Sequence, residues 1–150
     1  MRVNATQPIR APLARVFEVF TDVERCAGRI KGIKKAEILS EARSGKGLRW
    51  RETRSMFGKD ADADKEITAL DAPRSFRVES RVDGTNYVST FAFAEGADAG
   101  STVVTWTHHS EALTLGAKLG SPILFLFQGT MRSFMKKDLA DLAEFLETSA

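Results

Sequence analysis

The spacing of hydrophobic positions changes twice along the chain, and the first change follows a short strand. Residues 2–9 alternate as a strand, and Ala11-Pro12 then opens a helix because proline's fixed φ and missing N–H suit the first helical turn. Asp22 is placed to cap a second short helix that ends near residue 28. The apolar stripe of the first helix is Val16, Phe17, Val19 and Phe20.

From residue 35 to residue 110 the period is two, which is typical of strands with one covered face. In SFRVESRVD, for example, Phe76 and Val78 lie on one side and Arg77 and Glu79 on the other. The pattern predicts an antiparallel meander. Turn-forming residues divide it at Ser44-Gly45, Gly58, Asp71-Ala72-Pro73, Asp83-Gly84 and Gly96 to Gly100.

The same alternation assigns a covered face to three further strands. We expect these faces to turn toward the C-terminal helix described next. The predicted sets are Leu48, Trp50, Glu52, Arg54 and Met56 on the third strand, Tyr87, Ser89, Phe91 and Phe93 on the sixth, and Thr102, Val104, Trp106 and His108 on the last.

From Ser121-Pro122 onward the period becomes helical. A helix of about 25 residues would be about 38 Å long, enough to cross a small sheet. The pattern therefore predicts an α+β domain in which about seven strands curl around a long C-terminal helix. The apolar face of that helix is Leu124, Phe127, Met131, Phe134, Met135, Leu139, Leu142, Phe145 and Leu146, opposite Arg132, Lys136, Lys137, Asp141 and Glu144.

Composition narrows the class of protein. The chain has 150 residues, is 43% hydrophobic and 28% charged, and fits one globular domain spanning residues 1–150. A net charge of +2 argues against a nucleic-acid partner. The single cysteine, Cys26, and the absence of a clustered Cys/His set predict no disulfide, metal or other cofactor, and the short apolar run Pro122–Phe127 predicts no transmembrane segment. With a polar N-terminus, these features indicate a cytoplasmic protein.

The chain contains four sequence segments, in this order, on which a family resemblance rests: IRAPLARVFEVFTDVER, GLRWRETRSMFG, ITALDAPRSFRVES and GSTVVTWTHHSE. In the sequence of these segments and in the order of its predicted elements, the chain resembles the SRPBCC or START-like superfamily, within its polyketide cyclase/dehydrase group. The resemblance implies the helix-grip fold. It also implies a space between sheet and helix that holds lipids, sterols, polyketides, quinones or hormones, with cyclisation or dehydration in a minority of members.

Two charged residues on a covered strand face, Glu52 and Arg54, require an explanation because buried ions need partners. One hypothesis is that Arg54 orients a ligand carbonyl or carboxylate while Glu52, its pKa raised by burial, serves as acid or base. The alternative is an architectural salt bridge.

His108 and His109 face opposite ways, so one of them should look inward and could transfer protons. The alternative is an ordinary polar residue at a strand end. Tyr87 and Ser89 are candidate hydroxyl donors to a ligand. The remaining predicted cavity residues are Trp50, Phe76, Phe91, Trp106, Phe127, Met131, Phe134 and Met135, for which plain core packing is the alternative.

Three functions remain open. The first is binding or transport of a small hydrophobic molecule, by a monomer or dimer, through an entrance near residues 57–62 and 110–123. The second is a cyclase or dehydratase, which requires Glu52, Arg54 and His108 to converge. The third is an interaction protein of the quinone-chaperone or stress-regulator kind that uses Ile123–Phe127. A basic stretch from Arg25 to Lys35 suits either an acidic headgroup or a solvated loop.

Overall fold

The computed structural model describes residues 2–113 and 128–149. Within them the element order is the predicted one: a strand, two short helices, six strands and a long helix. The elements are β1 (Arg2–Ile9), α1 (Leu13–Thr21), α2 (Val23–Arg29), β2 (Ile33–Ile38), β3 (Arg49–Met56), β4 (Lys59–Asp71), β5 (Ser75–Val82), β6 (Thr85–Glu95), β7 (Thr102–Ala112) and α3 (Gln128–Thr148).

All seven strands form one antiparallel sheet in the order β1-β7-β6-β5-β4-β3-β2. Strands β2 to β7 follow one another as a meander, and β1 returns to lie beside β7. In that last pairing Val3 is opposite His108 and Ala5 is opposite Trp106. The first and last strands along the chain are therefore paired at the two residues that matter most for the site below.

Two hairpins have two-residue turns in which both residues adopt the left-handed conformation. Phe57 and Gly58 have φ of 52° and 78°, and Asp83 and Gly84 have φ of 49° and 75°. This is the turn geometry whose twist matches that of the flanking strands, and glycine adopts it without a steric cost. The positions of Gly58 and Gly84 thus fix the register of β3 with β4 and of β5 with β6.

Helix α1 buries the four residues that the sequence predicts. Phe17 and Phe20 pack edge-on against Phe93, with ring centroids 5.2 and 5.3 Å apart. The start of the helix is held by the buried Thr102 hydroxyl, which donates to the carbonyl of Ala11 at 2.8 Å. Aromatic packing and one buried hydrogen bond therefore attach α1 to the concave face of the sheet.

The start of α2 differs from the prediction in one respect. Asp22 occupies the N-cap position, but its side chain caps no backbone N–H. The carboxylate instead lies 3.0 Å from Arg25 and 3.5 Å from Arg29. Two nearby guanidinium groups compete for the carboxylate, and charge-assisted hydrogen bonds are the stronger ones.

Helix α3 packs its apolar face on the concave side of the sheet and covers the β1 edge. Met135, Leu139 and Leu142 are almost fully buried. At the edge, Gln128 and Arg132 donate to the carbonyls of Arg2 and Asn4 at 3.4 and 3.3 Å. An edge strand covered in this way does not pair with other chains. The predicted start of the helix at Ser121-Pro122, with Leu124 and Phe127, lies outside the described residues.

The buried side chains form two clusters. The larger joins α1, α3 and the β1 side of the sheet, and the smaller consists of Val23, Leu48, Trp50 and Ile67 beside β2 to β4. The site described below lies between them. In residues 2–113 and 128–149, no helix combines the length and the hydropathy needed to cross a membrane.

We expect Leu139→Ala to lower the free energy of unfolding by about 2–5 kcal/mol, because truncating this fully buried side chain leaves a cavity between helix and sheet. Urea titration followed by circular dichroism measures the loss. Lys137→Ala, on the exposed face of the same helix, is the control and should change the stability by less than about 0.5 kcal/mol.

Candidate functional site

An inner cavity of about 90 Å³ lies between the two buried clusters. Its wall is mostly apolar, with a charged group at one end. Cys26 contributes to this wall, and burial raises the pKa of its thiol to about 12, so the thiol stays protonated. The lining residues are Phe20, Val23, Cys26, Ile30, Ile33, Ala36, Trp50, Glu52, Arg54, Lys65, Phe76, Val78, Ser89, Phe91, Trp106, Asp138, Leu139 and Leu142.

An outer cavity of about 190 Å³ lies on the other side of the charged groups. It borders the surface at Ala61 and Asp62, which are exposed and follow the β3–β4 turn. The two cavities share Glu52, Arg54, Lys65, Ser89, Trp106 and Asp138. The outer cavity is further lined by Met56, Ala61, Asp62, Ala63, His108, Met131, Phe134 and Met135.

The shared charged residues form a chain of ion pairs, which we call the polar chain: Lys65, Glu52, Arg54 and Asp138. The Lys65 ammonium lies 2.8 Å from Glu52 Oε2, and Arg54 Nε lies 3.5 Å from the same oxygen. Arg54 then binds Asp138 with both ends of its fork, at 3.0 and 2.7 Å. A bidentate guanidinium–carboxylate contact is the strongest geometry available to such a pair.

Each member of the polar chain comes from a position that the backbone period turns inward. Glu52 and Arg54 alternate with exposed neighbours on β3, and Lys65 arrives on β4 opposite Trp50. Asp138 lies on the buried face of α3, three residues after Met135. Salt bridging was one of the two interpretations of Glu52 and Arg54. The two outer partners, Lys65 and Asp138, were not predicted from the sequence.

A signal for each missed residue is present in the sequence. Asp138 falls between Met135 and Leu142 at steps of three and four, so a carboxylate interrupts the apolar stripe of the helix. Lys65 continues the inward series Ala61 and Ala63 on β4. A charge at a position reserved for apolar side chains indicates a buried partner.

The expected rise in the Glu52 pKa is wrong. Burial alone would raise the pKa of this carboxyl, but Lys65 and Arg54 stabilise the charged form and hold the pKa below its ordinary value. Glu52 is therefore a carboxylate at neutral pH, and it holds no proton to donate as a general acid.

Asp138 forms the end of the polar chain opposite Lys65, and its side chain is more deeply buried than that of Lys65. Burial raises the pKa of Asp138, and the negative charge of Glu52 adds to this, while Arg54 acts in the other direction. Burial disfavours the Arg54 charge, but Asp138 and Glu52 raise the pKa of the guanidinium further above its already high value. Arg54 stays charged and fully engaged with protein carboxylates.

Gly32 lets the loop between α2 and β2 approach the Arg54–Asp138 pair. A Cβ at this position would lie 3.1 Å from Arg54 Nη1 and 4.0 Å from Asp138 Oδ1. The Gly32 carbonyl also accepts a hydrogen bond from the Ser55 N–H at 3.1 Å. The loop is further tied to α3 by the Lys31 N–H, which donates to Asp141 at 2.9 Å. This loop therefore packs closely against the Arg54–Asp138 pair.

Of the two histidines, His108 faces inward and His109 outward. His108 Nδ1 lies 3.0 Å from the Ser89 hydroxyl, and its ring stacks on Tyr87 with centroids 5.9 Å apart. His109 contacts Glu111 on the other side of the sheet. Burial lowers the pKa of His108 to about 4, and the positive charge of Lys65 contributes, so this ring is neutral at pH 7.

Two ring nitrogens in this region are buried without a hydrogen-bond partner among the described residues: Trp106 Nε1 and His108 Nε2. The residues are two apart on β7, on the same side of the strand, and both line the outer cavity. The indole N–H is only a donor, whereas the neutral imidazole nitrogen donates or accepts according to tautomer. A ligand that forms a hydrogen bond with a buried group of this kind is bound more favourably, because the group is otherwise unsatisfied.

The structure brings most of the predicted site residues to these two cavities. Tyr87 borders neither cavity, and its ring stacks on that of His108. Phe127 lies outside the described residues. Phe91 and Trp106 line the inner cavity and stack on one another at 4.8 Å, so they are part of the core as well as of the wall. Among the residues with described positions, no group of three His, Cys, Asp or Glu side chains suits a metal ion.

A family model described as "Polyketide cyclase / dehydrase and lipid transport" matches residues 1–148. The chain belongs to this family. The family predicted from the sequence is thereby confirmed. Its description covers both catalysis and transport, so membership alone does not choose between them. The sequence has no significant match among curated proteins.

Solved structures, among them an aromatase/cyclase and a START superfamily protein, have the same fold as this chain. The Zhui aromatase/cyclase from Streptomyces sp. R1128 superposes with a TM-score of 0.79 at 19% identity, covering 98% of this chain and 93% of that one. A protein from Thermus thermophilus gives 0.78 at 23% identity, with 97% of each chain covered. A START superfamily protein from Mycobacterium smegmatis gives 0.74 at 15%, covering 97% and 98%. The helix-grip fold is therefore confirmed.

We expect Asp138→Asn to lower the free energy of unfolding by about 3–5 kcal/mol, because Arg54 would keep a buried charge without its bidentate partner. The double variant Arg54→Met/Asp138→Leu should recover most of this loss, since it removes both charges together. A double-mutant cycle in urea measures the coupling.

The exposed pair Lys34–Asp60 provides the matched control, because its atoms are 2.7 Å apart but about half exposed. Asp60→Asn should change the stability by less than about 1 kcal/mol. A loss at Asp138 no larger than that at Asp60 would contradict a structural role for the buried pair.

We expect stability to fall as the pH is lowered from 6.5 to about 4, because the unfolded chain binds a proton at His108 while the folded protein does not. The folded pKa is the lower one, so the destabilisation is absent above pH 6.5 and grows to about 3 kcal/mol at its full extent. Denaturation of the wild type and His108→Asn across this range tests it. The variant should show a shallower slope, whereas His109→Gln should keep the slope that His108 causes.

Proposed function

We propose that this protein binds a small, largely apolar molecule that carries one oxygen acceptor, in the two cavities between sheet and α3. The observation that supports this most directly is the combination of an apolar wall with the ring nitrogens of Trp106 and His108, which have no partner among the described residues. Ligand sites in proteins are commonly apolar with a few polar groups that fix orientation. This arrangement has that composition.

The volumes of the two cavities limit the size of the ligand. Cavities of about 90 and 190 Å³ are smaller than the pockets of about 300–1,000 Å³ that hold drug-sized molecules. An apolar cavity of about 150 Å³ in another protein accommodates benzene. The proposed ligand therefore has one or two rings, with its ring in the outer cavity and a short apolar group reaching past the polar chain.

The polar chain limits the ligand's charge. Arg54 is bound to Asp138 and Glu52, and Lys65 is bound to Glu52, so both cations already have anionic partners. A ligand carboxylate would have to displace one of them at a cost in desolvation. A neutral carbonyl or hydroxyl oxygen needs only the ring of His108 or the N–H of Trp106, which is unpartnered within residues 2–113 and 128–149.

Two probes of matched shape test the proposal: acetophenone, which has a carbonyl acceptor, and ethylbenzene, which lacks it. We expect Trp106→Phe to weaken acetophenone binding by about 3–10-fold, the equivalent of one neutral hydrogen bond, and to leave ethylbenzene within about twofold. Isothermal titration calorimetry measures both, and native mass spectrometry of the purified protein searches for a retained molecule. If neither probe binds, or the variant weakens both equally, the proposal fails.

A second candidate function is dehydration or cyclisation, and it is favoured by one observation. Glu52, Arg54 and His108 all line the outer cavity, and His108 is neutral with a ring nitrogen unpartnered within the described chain. Such a nitrogen could take a proton from the carbon beside a carbonyl and return it to a departing hydroxyl, so that water leaves. Since Glu52 and Arg54 are held in ion pairs, His108 carries the chemistry in this hypothesis.

The test is conversion of 4-hydroxy-4-phenylbutan-2-one to its conjugated enone, followed by absorbance. If the protein is a dehydratase, His108→Gln should slow the reaction by about 10²–10⁴-fold, while acetophenone binding is retained. Binding without any turnover by the wild type would restrict the function to binding or transport. The third alternative, an interaction protein that uses Ile123–Phe127, falls on residues outside the described ranges.

A further inference from the structure

Strands β4 and β5 are paired over only part of their length. The ladder runs from Asp71 opposite Ser75 to Glu66 opposite Glu79. Both strands continue beyond that point, β4 for seven more residues to Lys59 and β5 for three more to Val82. There β4 stays paired with β3, and β5 stays paired with β6. The sheet thus divides into two hairpins, and we call the space between them the β4–β5 split.

A side chain closes the narrow end of the split. The Ser80 hydroxyl donates to the carbonyl of Asp64 at 2.7 Å, where a backbone ladder would otherwise continue. Beyond it, residues 59–62 of β4 are exposed, and Asp60, Asp62 and Asp64 alternate along this stretch. Asp64 and Asp62 bind Arg51 and Thr53 on β3, and Asp60 binds Lys34 on β2. These side-chain contacts hold this part of β4 to the β2–β3 side of the split.

A polar groove of about 370 Å³ lies over the split on the convex face of the sheet. It includes Asn86, which is buried and whose side-chain oxygen has no partner among the described residues, while its amide donates to Glu79 at 3.0 Å. Such an acceptor is available to a water molecule or another small donor. The groove is lined by Arg49, Asp64, Lys65, Glu66, Thr68, Glu79, Ser80, Arg81 and Asn86.

Lys65 connects this groove with the interior. It lines the groove and also both internal cavities. Its side chain is 28% exposed although its ammonium binds Glu52, whose side chain is only 10% exposed. A long aliphatic stem with a charged end can fill a channel in this way while its ends lie in different surroundings. Lys65 is the one described residue that lines the groove as well as both internal cavities, so its stem lies between the groove and the polar chain.

We propose that the β4–β5 split is a side passage through the sheet, plugged by Lys65, that lets water and small uncharged polar solutes reach the cavities. The passage lies at Lys65 and opens into the groove, whereas the outer cavity borders the surface farther along β4, at Ala61 and Asp62, where an apolar ligand would enter. Water displaced by that ligand, whatever its identity, leaves past Lys65 rather than past the ligand itself.

Acrylamide quenching of tryptophan fluorescence tests the passage, because the chain has two tryptophans and both line the inner cavity. The matched variants are Glu52→Gln/Lys65→Met, which keeps the stem, and Glu52→Gln/Lys65→Ala, which removes it. Both lack the same two charges, so they differ only in the plug. We expect the quenching constant of the alanine form to exceed that of the methionine form by about twofold or more, because only the stem blocks entry. Equal constants would overturn the proposal.

Lys59→Ala, on the exposed end of the same strand, is the control and should quench like the wild type. Hydrogen exchange of the wild type provides a test that requires no substitution. Amides of residues 60–64 that point away from β3 should exchange much faster than those of residues 67–70, since they face the split. Uniform protection along β4 would show that the two hairpins close on each other and would refute the passage.

Discussion

The buried contact between Arg54 and Asp138 is the constraint on which the rest of the site depends. It joins β3, the strand next to the β2 edge of the sheet, to the middle of α3 through two short hydrogen bonds. A pair of buried charges requires good geometry to offset desolvation, so helix and strand have one favourable position relative to each other. This position leaves space on both sides of the pair, and the two cavities are that space.

Much of the fold and of the inward-facing chemistry was predictable because strands have a strict period of two. Once β3 is placed, the side on which Glu52 and Arg54 lie follows from Trp50, and the side of His108 follows from Val104 and Trp106. These assignments require no knowledge of neighbouring elements. The helical stripe of α1 also depends only on local sequence, through the period of the helix, and it was predicted residue by residue.

What could not be predicted depends on partners that are distant in sequence. Asp138 is 84 positions from Arg54, and only the packing of α3 brings them together. The direction of the Glu52 pKa follows from Lys65, which reaches it across the strand pairing and reverses the effect of burial. Asp22 likewise has the residue type and position of a cap, yet two arginines determine its contacts. Local pattern places a side chain on a face, and tertiary contact determines its charge state.

The polar chain consists of two cations and two carboxylates, and the imidazole beside it is uncharged at neutral pH. The polar chain and this imidazole therefore carry no net charge together, although the chain contains four ions. Entry of a neutral guest needs no counter-ion and displaces no proton from these groups. The heat of binding should then be the same in buffers of different ionisation enthalpy, and added salt should leave the affinity nearly unchanged.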